Sequence, residues 1–394
     1  MRISSLIATL SAVGAVSAVP HARSNSGFRW RRDNSTLPNP FDGKTLFANP
    51  AWGAKLERAF DAFTARDDAE NAAKVRTIQK TGTFVWVSDR ASLKNIDTAI
   101  EQARAAKEAT GVDQIVGLVL YNLPDRDCSA GESAGELSSD KDGLEIYKNE
   151  FVKPYAEKVG AATDLTFAIV LEPDSLANLV TNQGIEFCAQ AGPVYQEGIA
   201  YAIASLQFDN VHLYIDAAHG GWLGWDQNLP LAAAEFGKVF RMASNSTGGS
   251  GNSTRIRGFA TNVSNYNPFN ANPRENFTID SKSWDESHYA TSLAPHLEAE
   301  GLPSRFIIDQ GRVAVPGGRE EWGEWCNVEA GFGMAPGTPV NNTLIDSIVW
   351  IKPGGESDGE CGMEGAPRAG AWFEEYVEKL VENADPSIKG EAAA

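Results

Sequence analysis

The chain is poor in the residues that build metal centres and nucleotide sites. Four cysteines and five histidines in 394 residues are too sparse for a zinc cluster. No G-x-G-x-x-G turn and no P-loop occurs, which argues against a nucleotide cofactor. The expectation is a protein with no cofactor and no metal. Positive charge is also scarce: 34 Lys and Arg stand against 52 Asp and Glu, a net charge of −18. Such a surface repels phosphate backbones and anionic membranes, so a neutral or cationic ligand fits better than nucleic acid or lipid. Solvation of an extracellular surface is the plainer source of most of that charge. Beyond the first residues no apolar run is long enough to cross a bilayer.

What is present reads as a secreted globular chain. Hydrophobic residues make up 42%, enough for a core. Met1-Arg2 precedes an apolar, small-residue run ending in Val16-Ser17-Ala18, the pattern of a secretory signal peptide over residues 1–18. Residues 19–38 are a polar, Pro-containing arm in which Arg31-Arg32 marks a candidate trimming site. Residues 39–394 are expected to form one catalytic domain, working as a monomer. Four cysteines in a secreted chain suggest two disulfides, with three pairings open. Six Asn-x-Ser/Thr sequons, at Asn34, Asn245, Asn252, Asn262, Asn276 and Asn341, agree with an extracellular glycoprotein. Asn262 ends an expected strand, a position where burial is expected.

Apolar, β-branched runs predict strands at Thr81–Val87, Gln114–Tyr121, Leu165–Leu171, Val211–Asp216, Arg257–Asn262, Arg305–Asp309 and Ser347–Ile351. Between them, helical spacing covers Ala54–Gln79 (one or two helices), Leu93–Thr110, Ile146–Val159, Pro193–Leu206, Leu231–Ala243, Ser287–Glu300 and Ala371–Asn383. Pro193 suits a first turn. Alternating strands and helices imply parallel βαβ units: an α/β chain forming one closed or nearly closed barrel. A doubly wound open sheet is the alternative.

In such barrels the chemistry lies where strands end. After the third strand come Glu172-Pro173-Asp174-Ser175. On that segment alone, Asp174 as a helix cap is the simpler account. The other strand ends carry Trp86; Tyr121 to Cys128; Asp216, His219, Trp222 and Trp225; Asn262, Asn265 and Asn267; Asp309, Gln310 and Arg312; and Lys352, Glu356 and Asp358. One face is thus a cleft of acids, amides and indoles, as a polysaccharide site requires. Paired acids hydrolyse glycosidic bonds, while indoles offer flat faces to sugar rings. The indoles sit at Gly-flanked loops, where exposure is expected. For His219 and Arg126 a structural role weighs more. Asp125-Arg126-Asp127 could instead be an ion pair or the metal site of a glycosyltransferase.

The motifs Tyr121-Asn-Leu-Pro-Asp-Arg-Asp-Cys128, Glu172-Pro-Asp-Ser-Leu-Ala-Asn-Leu-Val-Thr-Asn182, Asp216-Ala-Ala-His-Gly-Gly-Trp-Leu-Gly-Trp225 and Lys352-Pro-Gly-Gly-Glu-Ser-Asp358 resemble glycoside hydrolase family 6, the fungal cellobiohydrolases II and related endoglucanases. The resemblance runs from about Asn39 to Asn383. It implies a distorted barrel of about seven parallel strands and an inverting attack on β-1,4-glucan chains. Asp174 is then the general acid, and Asp127 keeps it protonated by like-charge repulsion. Asp358 is the candidate base, acting on water directly or through a second water. Tyr121 distorts the scissile sugar, and Ser133 holds a water. The resemblance also implies sugar or charge-network roles for Asp216, Lys352, Glu356, His219 and Asn262, and sugar platforms at Trp86, Trp222, Trp225 and Trp325. It implies the pairings Cys128–Cys188 and Cys326–Cys361.

Two departures from the family pattern stand out. Asn122 replaces a common Asp, with a small expected effect. The stretch from Asp358 to the last helix is short, where cellobiohydrolases have a long loop that roofs a tunnel. A missing roof predicts an open cleft and internal cutting. No Cys-rich binding module or Ser/Thr/Pro linker precedes the domain, so soluble or amorphous glucan is the expected substrate. A non-catalytic glucan-binding protein is the contrasting reading.

Overall fold

In the computed structural model, residues 38–246, 254–315 and 317–390 are described. The expected signal peptide, Arg31-Arg32, and the sequons at Asn34 and Asn252 lie outside the described residues.

Eight strands form one parallel sheet: β1 (Thr45–Leu46), β2 (Val85–Val87), β3 (Gln114–Leu120), β4 (Thr166–Leu171), β5 (Val211–Asp216), β6 (Gly258–Thr261), β7 (Phe306–Asp309) and β8 (Ile345–Val349). Their order is β1-β3-β4-β5-β6-β7-β8, with β2 also on β3. β1 lies against Gln114 and Ile115, and β2 against Leu118, Val119 and Leu120. Those two share one edge of β3, so the sheet has seven lanes, as expected. The outer lanes approach without a ladder. Phe84 N–H donates to Trp350 O at 2.9 Å, and Trp86 Nε1 to Ile351 O at 2.8 Å. The barrel is therefore distorted and incompletely closed.

The strands read as apolar runs because both faces are covered. Every residue of β3 is buried. One face fills the barrel with Phe84, Ile115, Val119, Val170, Tyr214, Ile307 and Val349. The other, with Leu118, Ile169, Ile215, Phe259 and Ile348, belongs to the larger cluster that includes the helices. Gly117 must lack a side chain, because a Cβ there would lie 2.5 Å from the Phe84 ring.

Three helical regions differ from the sequence reading. Ala54–Gln79 resolves into Pro50–Lys55, Glu57–Ala65 and Ala69–Gln79. These pack with the last helix, Glu374–Glu382, around Trp52, Phe63, Trp350 and Leu380. The helix placed at Pro193 begins earlier, as Glu186–Ser205, with Pro193 inside it. Burial of Cys188, Ala191, Gly192 and Tyr195, with the Cys128–Cys188 disulfide, outweighs the one hydrogen bond the proline removes. The helix expected from Ile146 starts at Gly143 and contains a wide π turn, Tyr147–Val152. Pro154 follows it. Wide turns of this kind recur at functional sites, and this one carries Tyr147 to Glu172.

Inside the barrel, Arg257 pairs with Asp346 through Nε at 2.7 Å and Nη2 at 2.6 Å, and Tyr214 donates its hydroxyl to the same carboxylate at 2.8 Å. Both charged side chains are almost fully buried. Removing one partner strands the other. Asp346→Ala is expected to cost about 3–5 kcal/mol in urea unfolding, far more than loss of a surface pair such as Lys282–Asp226.

Candidate active site

β4 ends at Leu171, and the chain turns through Glu172, Pro173 and Asp174 into the helix Ser175–Thr181. Glu172 (φ 47°) and Asp174 (φ 66°) both occupy the left-handed region, a strain of about 1–3 kcal/mol each for residues with side chains. Hydrogen bonds hold both in place. The buried Glu172 carboxylate accepts from Asn122 N–H (3.0 Å), Leu123 N–H (3.3 Å) and the Tyr147 hydroxyl (2.8 Å). Asp174 N–H donates to Asp216 Oδ2 at 2.9 Å. Asp174 does stand at the N-cap position, but its carboxylate makes no capping hydrogen bond. Only its backbone carbonyl serves the helix, accepting from Asn178 N–H. Capping therefore does not account for this side chain.

Asp216 closes β5 and is buried. Its Oδ2 also accepts from Ala218 N–H at 3.2 Å, while Oδ1 has no hydrogen-bond partner among the described residues. Burial pushes Asp216 up to about 7. Asp174 is raised well above the usual carboxylate range, by burial first and then by the charges of Asp216 and Asp127. Asp174 is thus held in its protonated form.

Asp127 reaches the same place from the β3 side. Its Oδ2 accepts from Ser133 N–H (2.7 Å) and Ser133 Oγ (3.2 Å), and Ser133 Oγ lies 2.8 Å from the Tyr121 hydroxyl. Arg126 braces this group. Its Nε donates to Ser133 O at 2.8 Å, and its Nη1 to Ser88 O and Tyr121 O. Its guanidinium lies 4.2 Å from the Tyr121 ring. Arg126 thus spends itself on carbonyls rather than on an ion pair with its neighbours, and Asp125 turns away to Ser139 N–H.

On the side of β7 and β8, both oxygens of Asp358 meet Arg312 Nη1 at 2.8 Å, and Oδ2 also accepts from the Tyr266 hydroxyl (2.5 Å) and Asn327 N–H (3.0 Å). Lys352 Nζ lies 5.5 Å from the Trp86 ring. Burial lowers the pKa of Lys352, opposed by the charges of Glu356 and Asp358. Trp86 meets Tyr121 edge-on at 5.5 Å, so this indole joins the two halves of the site. Glu356 pairs with Lys55 at 3.1 Å.

The remaining candidates differ in exposure. Trp222 and Trp225 are half-buried, with Nε1 on Thr181 Oγ1 (2.7 Å) and Gly221 O (2.9 Å). Trp325 is exposed. His219 places Nδ1 2.9 Å from Asn267 Nδ2, and burial lowers its pKa to about 3, so it is a neutral ring tied into the scaffold. Asn262 requires a correction. It is fully buried, both N–H bonds of its amide go to Asn267 O and Asp309 O, and its oxygen accepts from Asn267 N–H. Its side chain has no donor left for a sugar and no room for a glycan. The sequons at Asn245, Asn276 and Asn341 are exposed.

A proton held on one carboxyl, with indole faces lining the same rim, suits cleavage of glycosidic bonds, and the fold and site define a glycoside hydrolase. Residues 41–384 match the model described as glycosyl hydrolases family 6, and the chain belongs to that family. It is 60% identical over 389 residues to the 1,4-beta-D-glucan cellobiohydrolase CEL6B of Podospora anserina, covering 98% of this chain and 91% of that protein. The structure of endoglucanase CEL6B from Humicola insolens superposes with TM-score 0.85 at 52% identity, covering 89% of this chain and all of that one. Cellobiohydrolase II (Cel6A) from Humicola insolens, in complex with glucose and cellotetraose, gives TM-score 0.79 at 34% identity over 89% of this chain and 99% of that one. The enzyme is a family 6 cellulase.

Both disulfides form as the resemblance implied, Cys128–Cys188 and Cys326–Cys361. Sequence reading missed the roles of Glu172, Tyr266, Arg312 and Asn327. Arg312 carried a signal, since it follows a strand-end acid by three residues. Tyr266 and Asn327 carried none.

Burial also pushes Glu172 and Glu286 up to about 7. Both glutamates hold protons in the folded state that the unfolded chain gives up above about 4.3. Their stabilising contribution is complete below that value and is lost as pH rises through about 7. The melting temperature is therefore expected to fall between about pH 4.3 and 7 and to level off above. Glu172→Gln is expected to flatten that fall in calorimetric scans, whereas an unchanged slope would contradict the assignment.

Proposed function

We propose that the chain is a secreted, inverting β-1,4-glucanase that cuts within glucan chains. The observation that carries the internal cut is the path from Asp358 to the last helix. Ser357 N–H donates to Ala371 O, Gly370 N–H to Ser357 O and Phe373 N–H to Gly355 O, all at 2.8–2.9 Å. Glu356 and Trp372 form an antiparallel bridge. The segment folds back on its own start, and Cys326 ties down Cys361. Little chain is left to roof a groove, and an unroofed groove admits a polymer mid-length. Of the two Humicola insolens relatives, the one 52% identical is named an endoglucanase and the one 34% identical a cellobiohydrolase. A cellobiohydrolase acting from chain ends is the second reading, favoured by the name of the Podospora relative.

In this reading a β-1,4-glucan chain lies along Trp86, Trp222, Trp225 and Trp325. Asp174 gives its proton to the leaving glycosidic oxygen. Tyr121 crowds the scissile ring, and Ser133, held by Asp127, positions water. Attack comes from the opposite face of the sugar, as inversion requires. Asp358, ion-paired with Arg312, orients that water directly or through a second water. Lys352, Glu356, Asp216 and His219 set the charge and hydrogen-bond surroundings.

Asp174→Asn is expected to lower kcat on cellooligosaccharides by about 10²–10⁴-fold, the usual yield of a general acid. Full activity would sink the acid assignment, and binding without any turnover in the wild-type chain would favour a non-catalytic role. Asp216→Asn removes a charge that raises Asp174, so the alkaline limb of kcat/KM should move to lower pH. On carboxymethylcellulose, a steep early viscosity drop per reducing end marks internal cutting. A slow drop with cellobiose release would restore the end-acting reading.

A further inference from the structure

The turn that carries His219, Trp222 and Trp225 rests on a residue from another loop. Trp322 lies between β7 and β8 and is half-buried. Its ring meets Trp225 edge-to-face at 6.4 Å and Phe277 at 5.4 Å, and the Arg319 guanidinium lies 5.9 Å from it. A Cβ on Gly221 would come within 2.1 Å of Trp322 Cε3, so the backbone of the turn lies directly on this indole. Trp225 Nε1 donates to the carbonyl of the same glycine. The Nε1 of Trp322 is buried with no hydrogen-bond partner among the described residues, so packing sets its orientation. The contacts continue from Arg319 to Asn267, and from there to His219 Nδ1 (2.9 Å) and Glu286 (2.8 Å).

We infer that Trp322 is a positioning residue that fixes the face of Trp225 and so sets how tightly longer glucan chains are held. The inference rests on the reading of Trp225 as a sugar platform. One hydrogen bond at the indole edge leaves the ring free to tilt, whereas the Trp322 ring blocks the tilt. A platform fixed before binding loses less freedom when the sugar arrives. Trp322 acts through Trp225 and needs no sugar contact of its own. Of the two indoles on this turn, Trp225 lies farther along the chain from Asp216 than Trp222 does, so its effect should grow with substrate length.

The test is steady-state kinetics on cellotetraose and cellohexaose for Trp322→Ala, Trp322→Phe, Trp225→Ala and the double alanine variant. An aromatic pair of this kind is worth about a three- to tenfold change in affinity. Trp322→Ala is expected to raise KM for cellohexaose by about that factor, with kcat nearly unchanged and a smaller effect on cellotetraose. Trp322→Phe should recover most of the loss. The double variant should be no worse than Trp225→Ala, because residues acting as one unit are not additive. If Trp225→Ala raises KM while Trp322→Ala does not, or if the two penalties add, the inference is overturned and the platform reading stands. If Trp225→Ala itself changes nothing, the platform reading fails and takes this inference with it. Should Trp322→Ala fail to fold, Gly221→Ala pushes the turn off the same ring and should give the same length-dependent rise; an unchanged KM there overturns the inference.

Discussion

The active rim depends on carboxylates buried beneath it that accept backbone N–H groups from neighbouring loops. Glu172 takes the N–H groups of Asn122 and Leu123. Asp216 takes those of Asp174 and Ala218. Asp309 takes four, from Ser264, Gly311, Ile351 and Lys352. Each acid closes one strand or follows it directly, and each reaches into the loop of a neighbouring strand. A parallel sheet cannot do this by itself, since its ladder stops where the strands stop. Loops that leave a ladder carry N–H groups that must find acceptors. The two oxygens of a carboxyl group can meet several at once. The same acids hold Asp174, Ala218 and Ser264 at positive φ, where side chains are otherwise unwelcome.

That construction has an electrostatic consequence. Asp127, Asp174 and Asp216 converge on one side of the cleft. The Arg126 guanidinium, beside the Tyr121 ring, is turned toward carbonyl oxygens. On the other side, Asp358 has Arg312, and Lys352 is close by. Three acids facing one another in a partly buried space cannot all be ionised cheaply. The proton stays on Asp174, the acid raised by burial and by two neighbouring charges. Separating the environments of two acids is how one site supplies both a proton donor and an anion.

The strand ends were legible in the sequence because proline, glycine and acidic residues punctuate apolar runs there. Val211–Asp216 was read without error, and Asp174 was found because Pro173 ends its strand. The helix through Pro193 was not legible, since a disulfide to a distant loop and burial on two sides outweigh a local rule. Nor was the setting of Asp358: Arg312, Asn327 and Tyr266 lie 46, 31 and 92 positions away, and only folding brings them together. Asn262 shows the opposite failure. An amide at a strand end looked available for sugar, but the loop after β6 needed it for its own backbone. The indoles divide in the same way, since Trp325 and Trp322 lie three residues apart and one is exposed while the other packs under a turn.

In the proposed reading the cleft is open, and an open cleft places a demand on what lies beneath it. A roofed site can borrow rigidity from the loop above. Here the Asp358 segment returns along itself, so its stiffness must come from the sides and below. It has three sources: the disulfide from Cys326, the Asn327 side chain bonding Ser357 Oγ and the carbonyls of Gly359 and Cys361, and Asp309 holding the chain at Ile351 and Lys352 from inside the barrel. These contacts are short, mostly buried and made largely to backbone, so they fix position whatever the side chains above them carry. The groove can then vary at its surface, in its indoles and its loops, while Asp174 and Asp358 keep their places.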